Sequence, residues 1–93
     1  GERLWRLPVT DATFEAIKSD IADVKNISDP GAAPGASVGA AFIMEWVQPE
    51  TPFVHLDIAG MAWEAAGRPT EPKGGVGFGV RLFDEIARDY ESN

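Results

Sequence analysis

The sequence predicts an α/β fold that is incomplete within this chain. Three observations predict it. Phe53 to Ile58 is apolar on both faces, with only His55 and Asp57 polar, which is the pattern of an interior strand. Three stretches around it carry helical patterns, and the sequence offers that strand only one weak partner, Arg3 to Leu7. A strand that pairs on both edges needs two neighbours, so the missing strands are expected in a part of the protein outside these residues.

The first element, Arg3 to Pro8, mixes large apolar and basic residues and stops at a proline, as an extended arm leading into a turn would. A first helix is expected next, capped by Thr10 or Asp11 and running to about Val24, because Phe14, Ile17, Ile21 and Val24 fall close to helical spacing. Asn26 to Gly35, with Asp29-Pro30-Gly31 and Pro34-Gly35, reads as a loop. Ala36 to Val47 is apolar almost all round, as in a helix buried on more than one face. Its small residues suit a close approach to a sheet. Beyond the strand, Glu64 to Lys73 reads as a loop because of Gly67, Pro69 and Pro72, and Val80, Phe83, Ile86, Ala87 and Tyr90 mark a last helix. Leu56, Ile58, Phe42 and Ile43 are the expected core.

The 93 residues allow one small domain, and a chain of that size buries only about 60–65% of the surface its unfolded form exposes. Hydrophobic residues at 44%, with three Trp and five Phe, are enough for a packed interior. Eight basic against fifteen acidic residues give a net charge of −7 with no basic cluster, which argues against nucleic acid and anionic membrane surfaces as partners. No apolar run approaches the roughly 20 residues that span a bilayer. The absence of cysteine removes disulfides, thiolate zinc sites and thiol nucleophiles, and fits a cytoplasmic protein. Beginning at Gly1-Glu2 without an initiator Met, the chain is expected to be a segment of something longer.

No self-sufficient active site can be assembled from these residues. Gly75-Val76-Gly77-Phe78-Gly79 before a helix invites an anion-binding reading, but Val80 stands where a dinucleotide fingerprint needs glycine, and no Lys-Ser/Thr pair follows as in a P-loop. His55 and Asp57, two apart on the expected strand, share a face yet supply only two of the three protein ligands a catalytic zinc site wants. Paired polar groups in a core fit them better. Asp20 and Asp23 on the first helix read as a solvated face, and no nucleophile elbow surrounds any serine. The informative feature is the end of the strand. Ala59 and Gly60 carry almost no side chain, and in α/β proteins ligands lie outside the carboxyl ends of strands.

Five motifs in order carry a resemblance: Arg3-Leu4-Trp5-Arg6-Leu7-Pro8, Ser19 to Ile27, Ala40-Ala41-Phe42-Ile43, His55-Leu56-Asp57-Ile58-Ala59-Gly60, and Gly75-Val76-Gly77 with Val80-Arg81. Together they resemble the C-terminal end of the leucyl aminopeptidase, or cytosol aminopeptidase, family. The resemblance covers nearly the whole chain. It implies that residues 1–93 are the C-terminal segment of a single catalytic domain, the C-terminal portion of a mixed sheet flanked by helices in αβα layers. It implies a hydrolase that removes N-terminal residues from peptides, uses two divalent metal ions, manganese or zinc, and assembles as a cytoplasmic hexamer. The partners so implied are a peptide substrate, the remainder of the catalytic domain and further copies of the subunit.

The family's metal ligands and catalytic residues precede the first motif seen here, and its Asn-Thr-Asp-Ala-Glu-Gly-Arg signature is absent. No catalytic residue and no metal ligand is therefore expected in this chain. What the resemblance carries over is one wall of the pocket for the substrate's first side chain, at Ala59, Gly60 and Ala62. The stretch Ser28 to Gly35 departs from the family in looking longer than its usual turn, and Trp46 and Phe53 stand where other large aromatics are commoner. The alternative is a non-catalytic fragment or homologue acting in assembly or protein binding.

Overall fold

A computed structural model describes residues 2–93, which form two compact units, Trp5–Asp57 and residues 2–4 with Ile58–Asn93. In chain order the elements are α1 (Asp11–Ala16), α2 (Gly35–Met44), β1 (Trp63–Glu64), β2 (Gly74–Gly75) and α3 (Val80–Ser92). Helices and a small antiparallel sheet give the chain its α/β character.

In the unit Trp5–Asp57, Thr10 caps α1 from extended backbone, and its N–H donates to the Thr13 hydroxyl at 3.2 Å, so the first turn closes on itself. The helix is shorter than its apolar spacing predicts. It ends at Ile17 because the Ser19 hydroxyl accepts the N–H groups of Ile21 and Ala22 at 3.3 and 3.1 Å, offering the backbone an alternative to continued helix. The chain then doubles back, and Lys25 N–H reaches the Ile17 carbonyl at 2.8 Å. As a result Ile21, expected on the buried stripe, is 98% exposed, and Asp20 and Asp23 lie in bends rather than on a helix.

Pro34 precedes α2 and gives its carbonyl to Val38 N–H at 3.0 Å. Ser37, almost fully buried, donates to the Pro8 carbonyl at 2.8 Å and ties the helix to the arm. Ile17, Val38 and Ala41 form the centre of the core, with Val9, Phe14, Val24 and Ala33 packed against them. The expected core differs. Leu56 and Ile58 are half-buried, and on α2 Phe42 is half-buried and Ile43 exposed, since only one side of that helix faces α1. Phe42 instead meets Trp46 edge-on, with ring centroids 6.4 Å apart.

The interior strand expected over Phe53–Ile58 is not formed. Among the described residues this stretch joins no sheet, in keeping with the shortage of neighbouring strands in the sequence, and Arg3 to Leu7 is likewise irregular. His55 comes close to α2 at Gly39, where a methyl group would lie 3.9 Å from its Nε2.

In the unit of residues 2–4 and Ile58–Asn93, the stretch Glu64 to Lys73 read as a loop connects the two short strands of a hairpin, with only Glu64 itself in a strand. Trp63 faces Gly75 and Glu64 faces Gly74, and a bridge between Arg68 and Glu71 closes the far end, with N–H to carbonyl distances of 2.7 and 3.1 Å. The last helix forms as its pattern predicts. It buries no residue: Phe83 is 51% and Tyr90 70% exposed.

The small core sets an expected ranking for substitutions. Ile17→Ala should cost about 2–5 kcal/mol, whereas Ile21→Ala should stay within about 0.5 kcal/mol. Denaturant unfolding of the two variants measures both.

Candidate functional site

Of the residues expected to line a substrate pocket, Ala59 and Gly60 fall on one turn. Met61 N–H donates to the Ile58 carbonyl at 2.9 Å, which places Ala59 and Gly60 at the exposed tip. Ala62, half-buried, follows at the entry to β1, where its carbonyl accepts Val76 N–H at 3.1 Å. Between them Met61 lines a concavity of about 720 Å³ with Glu2, Arg3, Arg68, Phe78 and Arg81, whereas Ala59, Gly60 and Ala62 do not line it. Met61 and Glu2 were not singled out by sequence reasoning. For Glu2 no local signal exists, because its partner lies 77 residues away.

That partner is Gly79. In the glycine run Gly77 has φ 67° and Gly79 φ 95°, the left-handed region that glycine enters without strain. Gly79 caps α3, and its N–H donates to the Glu2 carboxylate at 2.7 Å. A carboxylate of the chain itself thus sits where an anion-binding reading of this run would put a phosphate.

Glu64 organises the hairpin. One carboxylate oxygen accepts the N–H groups of Ala66 and Gly67 at 3.0 and 3.3 Å, and the other pairs with the Arg68 guanidinium, which also approaches Glu71 at 3.6 Å. The Ala66 N–H, then the Arg68 guanidinium, stabilise the charged form and hold the Glu64 carboxyl below its ordinary value. The same pairing raises Arg68.

A metal centre does not fit these residues. Among the described residues no three His, Asp or Glu side chains converge, and His55 and Asp57 lie on an irregular segment rather than on one face of a strand. Nor is any described helix long and apolar enough to cross a membrane.

The family model of the cytosol aminopeptidase catalytic domain matches residues 1–83. The chain belongs to the cytosol aminopeptidase family. A protein of Syntrophobacter fumaroxidans named "Probable cytosol aminopeptidase" is 51% identical over 90 residues, which cover 97% of this chain and 17% of that protein. One of the same name from Ehrlichia ruminantium is 47% identical over 94 residues, covering the whole chain and 19% of the relative. Another, from Gluconobacter oxydans, is 43% identical over 93 residues, covering the whole chain and 18% of the relative. The chain therefore spans less than a fifth of the length of these family members. No solved structure matches it.

The contacts of Glu64 set a pH dependence. Its folded value lies below its unfolded one, so its contribution to the hairpin is fully present above the ordinary glutamate range and is lost as pH falls through the lowered folded value. In an NMR titration the Glu64 carboxyl and the Ala66 and Gly67 amides should shift together, with a midpoint below that of an unperturbed glutamate. A midpoint at or above it would show that these bonds do not persist in solution.

Proposed function

We propose that this chain is the C-terminal segment of the catalytic domain of an aminopeptidase that removes N-terminal residues from peptides, and that Ala59, Gly60 and Ala62 form one wall of the subsite for the departing residue. The family match over residues 1–83 supports the activity. The observation that carries the pocket assignment is the turn Ile58–Met61. Two residues with almost no side chain stand exposed at its tip, and Ala62 follows half-buried at the base. Small residues there would leave room for a substrate side chain once the rest of the domain encloses the turn.

Catalysis itself is assigned to the rest of the domain. The two divalent metal ions, manganese or zinc, implied by the resemblance would be held there, because the acidic residues described here do not converge. The remaining strands of the mixed sheet belong to the same missing part and would pair Phe53–Ile58. A cytoplasmic, hexameric enzyme is the assembly this reading takes from the family.

Ala62→Leu in the full-length enzyme tests the pocket. Shrinking the subsite should shift preference from leucine towards alanine at the substrate N-terminus. One side-chain methylene in a pocket is worth about 1–3 kcal/mol, so the ratio of kcat/KM values for the two substrates should move about tenfold or more. An unchanged ratio would remove Ala62 from the pocket wall.

A further inference from the structure

Glu2 is joined to the candidate pocket wall through a short series of bonds. Its carboxylate accepts Gly79 N–H at 2.7 Å, bridging 77 positions in the sequence. Gly79 is buried, and with φ at 95° it introduces α3. The N–H groups at the start of a helix have no partner within it, and a carboxylate there is favoured by both the hydrogen bond and the helix dipole. Two residues back, Gly77 makes a second left-handed turn and gives its carbonyl to Val80 N–H at 3.3 Å. The residue before it, Val76, donates to the Ala62 carbonyl at 3.1 Å. Only Gly77 and Phe78 separate the residue that Glu2 holds from the residue that holds Ala62. Both left-handed positions are glycines, the residues least able to resist a change of backbone angle by themselves.

We infer that Glu2 is a positioning residue for substrate selection: by anchoring Gly79 it fixes the Val76–Gly79 turn, and through the Val76 to Ala62 bond it sets the depth of the pocket wall. This rests on the reading of Ala62 as part of that wall. Glu2 lies outside the turn Ile58–Met61 and its bond goes to Gly79, so in this reading its effect is on how well the substrate's first side chain is seated.

The test uses the full-length enzyme with Glu2→Ala and Glu2→Gln, assayed on leucine and alanine substrates beside Ala62→Leu. In Glu2→Ala the preference for leucine over alanine should fall about fivefold or more, carried mainly by KM, because small misplacements at a binding wall are costly. Glu2→Gln keeps an acceptor oxygen and should stay within about twofold of the parent. Should Glu2→Ala not fold, Glu2→Asp, one methylene too short to reach Gly79, reads the same ratio with the same expectation. Equal losses on both substrates, or an unchanged ratio, while Ala62→Leu still shifts preference, would make Glu2 a structural residue only and overturn the inference. If Ala62→Leu itself leaves the ratio unchanged, the pocket reading fails and this inference falls with it.

Discussion

The constraint on which everything else in this chain depends is how little apolar surface it can cover. Ile17, Val38 and Ala41 are buried where α1 meets α2, and around them the side chains are only partly enclosed. Trp5 at 88%, Trp63 at 68% and Tyr90 at 70% exposure are large apolar groups facing solvent. Exposed hydrophobic residues scattered singly are ordinary, but α3 buries none of its residues, although Phe83, Ile86 and Tyr90 repeat at helical spacing. A stripe of that kind stabilises a helix only when something packs on it. The named relatives are more than five times as long as this chain, and under the proposed function the stripe packs on the rest of the domain.

The same constraint explains which local interactions matter. Two strands of two residues each are too short to stand as a sheet by themselves. Polar anchors stand in for packing here. Glu64 gathers the Ala66 and Gly67 amides and the Arg68 guanidinium, and Glu2 holds the start of α3. Charge-assisted bonds are stronger and more directional than neutral ones, so carboxylates are suited to fixing a turn that has little core beneath it. The exposed ion pairs on the helices, Lys18 with Glu15 and Arg88 with Asp84, are of the kind that contributes little.

Much of the helical structure was legible in the sequence, and the reasons for the exceptions are physical. The apolar run through α2 and the spacing in α3 identify both helices, and Thr10 marks the start of α1. The end of α1 was not legible from apolar spacing, because Ile21 and Val24 continue the period while the Ser19 hydroxyl redirects the backbone. The hairpin was hidden by Gly67, Pro69 and Pro72, which punctuate a loop and a tight hairpin alike, and its strands are too short to show alternation. At Phe53–Ile58 the pattern of a buried strand is present in the sequence, and among the described residues the stretch joins no sheet. For the site, the small residues after Asp57 pointed to the turn that carries Ala59 and Gly60, whereas the link from Glu2 to Gly79 is a tertiary contact that no local pattern announces.

Hydrogen exchange of the α3 amides and of residues 53–58, compared between the 93-residue chain alone and the full-length protein, tests the central claim most directly. If these segments complete their packing and pairing in the rest of the catalytic domain, exchange should be slower there by about a hundredfold or more, the difference between local opening and the protection of a folded core. Equal exchange in the two forms would contradict it, since the exposed stripe and residues 53–58 would then have no neighbours to gain.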